Sequence, residues 1–163
     1  MVNFEQHRPE KVVTALQSSP KIILGVAASD AHVVANHLIA MYLRDHGFEV
    51  INLGACTPLS EFMQMWQRHP DASAIIIGSL NGHAAEDLED LPEFKQNYQV
   101  RCPIIVGGNL SVGALKTGVE TARLLENGVD AVISNVDELL PYLRTLSNAL
   151  PFGSSLEEQH AYS

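Results

Sequence analysis

Residues 21–46 read KIILGVAASDAHVVANHLIAMYLRDH, and this stretch decides the fold. Lys21 to Val26 is a short apolar run, rich in β-branched residues and with almost no alternation, which is the pattern of a strand buried on both faces. Small and polar residues follow, from Ala27 to His32. From about residue 31 to 46, Val34, Leu38 and Met41 recur at helical spacing, which marks them as the face an amphipathic helix turns to its core. The same unit repeats. Further strand runs are Phe48 to Leu53, Ser73 to Ile77, Pro103 to Val106 and Asp130 to Ile133, and the spacing predicts helices over about 58–69, 85–97, 115–127 and 136–149. Leu139, Leu143 and Leu146 give the last of these its apolar face.

Stop signals support the division. Gly47 and Gly128 each stand just past a predicted helix and just before the next strand, where glycine closes helices. Pro58 and Pro141 are read as marking helix starts, where a missing N–H costs little. Strand–helix alternation implies an α/β, doubly wound, five-stranded parallel sheet with right-handed crossovers, in the flavodoxin-like (Rossmann-type) order 2-1-3-4-5. Residues 1–20 are expected to form an extension with a short helix, 21–150 one domain, and 151–163 a flexible, solvated tail.

Composition narrows the classes. The chain has 163 residues, 46% apolar and 18% charged, enough for one domain with a core and unlike a disordered chain. Nineteen acids against ten bases give a formal charge of -9, a field that repels nucleic acid and anionic membrane surfaces. There is no continuous apolar run long enough to span a bilayer, and the N-terminus lacks the pattern of a secretory signal; the expected location is the cytoplasm. Cys56 and Cys102 lie in no CxxC pair and read as two reduced thiols.

In an open parallel sheet the ligand lies outside the carboxyl ends of the strands, where strand order reverses. That selects three loops, Ala27 to His32, Gly78 to His83 and Gly107 to Gly113, all rich in glycine and small polar groups. The first lacks a flavodoxin's phosphate cradle. The ends of strands 3 and 5, Gly78-Ser79 and Ser134-Asn135, lack the aspartate and lysine of a phosphoacceptor receiver. No GxGxxG or GxxxxGK[ST] is present. Asp30-x-His32 remains. A carboxylate two residues before a histidine can bond one ring nitrogen and leave the other free for a metal; equally, Asp30 or Ser29 can cap the following helix, with His32 a polar first-turn residue. His83 is a possible companion in a simple zinc or iron site, for which no third ligand has convincing spacing. The run Glu86, Asp87, Glu89, Asp90 reads as a solvated helix face or a contact with a partner.

The three loops together resemble the cobalamin-binding domain of corrinoid enzymes, whose pattern is Asp-x-His-x-x-Gly after strand 1, Ser-x-Leu after strand 3 and Gly-Gly after strand 4. GVAASDAHVVANHLI, IIIGSLNGH and PIIVGGNLSVG are most similar to the small (S or sigma) subunit of glutamate mutase, also called methylaspartate mutase, with a resemblance running from about Lys21 to Leu150. It implies that His32 replaces the cofactor's dimethylbenzimidazole as the lower axial ligand of cobalt, base-off and His-on, with Asp30 hydrogen-bonded behind it. Ser29, Ala31, Val33 and Ala35 are the accompanying cofactor-binding positions of the first loop. Gly78, Ser79, Leu80 and Gly82 would line one side of a slot for the nucleotide tail, and Gly107, Gly108, Asn109, Leu110, Ser111, Val112 and Gly113 the other.

Two residues depart from the pattern. The glycine three positions after the histidine is Ala35, and the serine that opens Ser-x-Leu is Gly78. The resemblance implies adenosylcobalamin as cofactor and a radical interconversion of L-glutamate and threo-3-methylaspartate. It also implies a separate large catalytic (epsilon, E) barrel subunit as partner, with no catalytic residue in this chain. The competing reading is a stand-alone corrinoid carrier or regulatory module; the twenty residues ahead of the first strand are too few for the helical cap that methyl carriers usually have.

Overall fold

A computed structural model describes residues 18–108 and 117–149. The expected leading helix lies almost wholly outside the described residues, as do the tail 151–163 and Asn109 to Gly113. The chain runs β1 (Lys21–Val26), α1 (Val33–Asp45), β2 (Glu49–Asn52), α2 (Leu59–Arg68), β3 (Ala74–Gly78), α3 (Ala84–Asp87), α4 (Leu91–Asn97), β4 (Ile104–Gly107), α5 (Thr117–Glu126), β5 (Ala131–Ile133) and α6 (Val136–Ala149). The sheet is parallel throughout, in the expected order β2-β1-β3-β4-β5.

Alternation along the strands builds two cores. Ile22, Leu24, Ile76, Ile105 and Ile133 point to the face covered by α1 and α6, where they meet Ala40, Leu43, Leu139 and Leu143. Ile23, Ile75, Ile77, Ile104 and Val106 point to the other, against Phe62 and Met63 of α2, Leu88 after α3, Leu91 of α4 and Leu124 of α5. The glycine signals work as read. Gly47 and Gly128 take positive φ of 91° and 90°, and each helix end closes with paired bonds, Gly47 N–H to Arg44 and Phe48 N–H to Leu43, Gly128 N–H to Leu125 and Val129 N–H to Leu124. These are Schellman closures that turn the chain directly into β2 and β5.

Three expectations are corrected. The helix expected over 85–97 is two short helices, broken around Leu88 to Asp90. Pro92 is the reason: it opens a new helix at α4's first turn, and within a continuous helix its ring would collide with the turn before it. Pro141 stands inside α6 rather than at its start. In α1 the stripe Val34, Leu38, Met41 faces solvent, 73%, 59% and 48% exposed, and the buried stripe is Asn36, Ala40, Leu43. Both have helical spacing. The sheet face opposite α1 already carries bulky aliphatic residues, so the stripe with the smaller alanine packs against it.

Candidate cofactor site

The loop between β1 and α1 is held from three sides. Ala27 bridges to Thr57 beyond β2. The Ser29 N–H and hydroxyl donate to the Asp87 carboxylate at 3.1 and 2.5 Å, and Asn81 Nδ2 donates to the Ser29 carbonyl at 2.6 Å. Part of the acidic run is therefore structural: Asp87 clamps this loop, and Glu86 pairs with Arg123 of α5 at 3.2 Å.

Asp30 is the centre of the arrangement. Its carboxylate is buried, with 1% of the residue exposed. Oδ2 accepts the Leu80 N–H at 2.5 Å; Oδ1 accepts the His32 N–H at 2.9 Å and a hydrogen bond from His32 Nδ1. Burial opposes the charge, but the Leu80 N–H and the His32 contacts outweigh it and hold the carboxyl below its ordinary value. With Nδ1 donating to a carboxylate, the imidazole keeps its Nε2 lone pair free. The His32 side chain is 56% exposed, so the ring stands at the mouth of the site with its back bonded to the fold. The capping alternative does not hold, because His32 itself occupies the N-cap of α1 and no side chain caps that helix.

Behind His32 a slot runs between the sheet and helices α1 and α6, with about 720 Å³ of space including its open mouth. The sheet register explains it. Leu24, Ile76 and Ile105 form one row across β1, β3 and β4, and Val26, Gly78, Gly107 and Ile133 form the next row toward the carboxyl ends. Two paired glycines leave that second row without side chains in its middle. Packing does not demand glycine at 78, since an added Cβ would meet only Gly25 O at 3.6 Å and Val26 Cγ2 at 3.7 Å. Gly108 is a different case. Its φ is +120°, and a Cβ would lie 2.3 Å from the Ser79 carbonyl oxygen, so the loops after β3 and β4 touch backbone to backbone there.

Ala35, Gly78, Ser79, Leu80, Gly107, Gly108 and His32 all line the slot. Ala31 and Val33 are exposed beside it, Ser29 is engaged with Asp87, and Gly82 turns the loop at φ 79°. The buried Ser79 hydroxyl is directed to Asn81 Oδ1 at 3.5 Å. Asn36, Ile39, Ser134, Val136 and Leu139 also form the walls and were missed by reading loops alone. Strand alternation places only Ile133, at the end of β5, on the face of Gly78 and Gly107; the first turns of α1 and α6 carried no such signal. Asn36 is 4% exposed, and its Oδ1 has no hydrogen-bond partner among the described residues. Among the described residues no three His, Cys, Asp or Glu side chains cluster as metal ligands, so His83 does not join Asp30 and His32 in a simple metal site.

Residues 20–136 match the B12 binding domain family. The glutamate mutase sigma subunit of Halobacterium salinarum is 39% identical over 117 residues, 72% of this chain and 78% of the relative. The chain belongs to this B12-binding family. Glutamate mutase sigma subunit 1 of Haloarcula marismortui is 38% identical over 76% of this chain and 83% of its own length, and the sigma subunit of Fusobacterium nucleatum 31% over 69% and 82%. Among solved structures, a cobalamin-binding protein from Desulfitobacterium hafniense superposes with a TM-score of 0.63 at 16% identity, over 78% of this chain and 59% of that one. The methanol:cobalamin methyltransferase complex from Methanosarcina barkeri gives 0.61 at 14%, over 85% and 50%. These two likenesses concern the fold, and this chain spans only 59% and 50% of their lengths. The B12-binding domain of this chain fits a corrinoid on its own residues: an imidazole nitrogen left free by the Asp30 bond at the mouth, a row with no side chains in its middle behind it, and a buried acceptor in the wall without a partner among the described residues.

Proposed function

We propose that this chain is the cobalamin-binding subunit of a glutamate mutase, acting with a separate catalytic barrel subunit to interconvert L-glutamate and threo-3-methylaspartate. The cofactor is adenosylcobalamin, bound base-off and His-on. When bound, it supplies a cobalt–carbon bond whose homolysis starts the radical rearrangement. The observation that carries the reading is the Asp30–His32 pair at the mouth of a mostly apolar slot, in a chain that belongs to the B12-binding family.

Each residue then has a defined task. His32 Nε2 would hold the cobalt of the bound corrinoid. Asp30 fixes the ring's tautomer and orientation, and the Leu80 N–H ties that carboxylate to the loop after β3. Gly78 and Gly107 keep the slot open for the displaced nucleotide tail, with Ala35 and Leu80 on its walls. Substrate carboxylates are bound by the partner. No described helix is long and apolar enough to cross a membrane, and the proposed location is the cytoplasm.

The test is reconstitution. Purified chain, barrel subunit and adenosylcobalamin together should convert glutamate to methylaspartate, each protein alone should not, and His32→Ala should abolish turnover. Absence of turnover with the cognate barrel subunit would overturn the assignment.

A further inference from the structure

Asn36 sits in the first turn of α1, one turn beyond His32, and faces the sheet inside the slot. Its amide orientation is fixed by a chain of bonds. The Gly54 N–H donates to Asn52 Oδ1 at 2.9 Å, which identifies that atom as oxygen. Asn36 approaches the same oxygen at 2.7 Å and must present its NH₂ to it. Asn36 Oδ1 is therefore turned away from Asn52, and it is the buried side-chain acceptor without a partner among the described residues. A buried carbonyl left unpaired is costly, and such groups in native structures call for an explanation. The slot's other walls are mostly aliphatic, and the side-chain donors among them, His32, Ser79 and Ser134, make no bond to it.

We propose that Asn36 is a positioning residue for the nucleotide tail of cobalamin, its Oδ1 accepting a hydrogen bond from a ribose hydroxyl. The assignment rests on the cobalamin reading above and extends it to a specific contact. The ligand must bring a donor into an apolar slot. The dimethylbenzimidazole base carries no N–H, whereas the ribose attached to it carries hydroxyls. The corrin's peripheral amides also carry N–H groups, but His32 at the mouth marks the corrin end, and Asn36 lies one helical turn further in. The arrangement makes the unpaired acceptor a recognition element that is satisfied only when a tail carrying a hydroxyl enters.

The test compares cobalamin with cobinamide, which keeps the corrin amides and lacks the nucleotide tail, by equilibrium titration of the cofactor's absorption spectrum. Asn36→Leu, close in volume but without an acceptor, should bind cobalamin about tenfold more weakly than wild type and cobinamide equally well. As a measurement independent of any variant's folding, wild type is titrated with two cobalamin analogues, each lacking one ribose hydroxyl; one of them should bind about tenfold more weakly. Unchanged cobalamin affinity in folded Asn36→Leu, an equal loss for cobinamide, or full affinity for both analogues would each overturn the assignment. Failure of wild type to bind either corrinoid would instead sink the cobalamin reading itself.

Discussion

Gly78→Leu separates the slot's role from the fold's needs. The position belongs to the row Val26–Gly78–Gly107–Ile133, whose side chains point between the sheet and helices α1 and α6. A Cβ there makes only ordinary contacts, at 3.6 and 3.7 Å, so the backbone need not move. The remaining atoms of the leucine then enter the slot. Burying that side chain contributes about 1.5–3 kcal/mol, and replacing a glycine inside a strand removes a further conformational cost of about 0.5–1 kcal/mol. The cofactor-free variant should therefore be more stable than wild type, with a melting temperature higher by several degrees. Cobalamin, to bind, would have to displace the leucine and forfeit its burial, so affinity should fall by roughly 10- to 150-fold. Thermal unfolding without cofactor and a cobalamin titration measure the two effects. A stabilised variant that binds cobalamin as wild type does would refute the placement of the tail; a variant destabilised by 2 kcal/mol or more would show that glycine is needed for packing.

Other outcomes follow from the same geometry. Gly78→Ser restores the hydroxyl of the family pattern in space that accepts a Cβ, and should raise cobalamin affinity about 2- to 10-fold in the same titration. Gly108→Ala must place a methyl against the Ser79 carbonyl at a φ of +120°, and should cost at least 1–3 kcal/mol in chemical denaturation through backbone strain. Burial pushes the Cys102 thiol up from 9.0 to about 12, so above pH 9 the unfolded chain loses a proton that the native chain retains. Stability should then fall as pH rises from about 9 toward 12, by up to about 1.4 kcal/mol per pH unit, and urea unfolding of Cys102→Ala should show a correspondingly flatter decline.

The topology was legible because its determinants are local. Each strand is a short, two-sided apolar run, and Gly47 and Gly128 end helices by a mechanism visible from residue type alone. The α1 face was not legible, because Val34, Leu38, Met41 and Asn36, Ala40, Leu43 fit the same period, and the sheet that chooses between them is assembled from distant residues. Pro92 carried a signal that a continuous helix over 85–97 overlooked. At the site, Asp30-x-His32 gave the pair, but only the fold reveals that the Leu80 N–H anchors the carboxylate from fifty residues away. Asp87, read within a charged run, turned out to hold Ser29. The slot walls formed by Asn36 and the start of α6 depend on cross-strand register, which no single segment encodes.

The central claim is that His32 Nε2 takes the axial position on cobalt. It is tested most directly by electron paramagnetic resonance of the cobalt(II) cobalamin complex, prepared with protein whose histidines carry nitrogen-15. If His32 is the ligand, the triplet splitting from an ordinary axial nitrogen becomes a doublet in the labelled protein, and His32→Ala abolishes that doublet. A triplet that persists in the labelled protein would mean that the cofactor keeps its own base, contradicting the account.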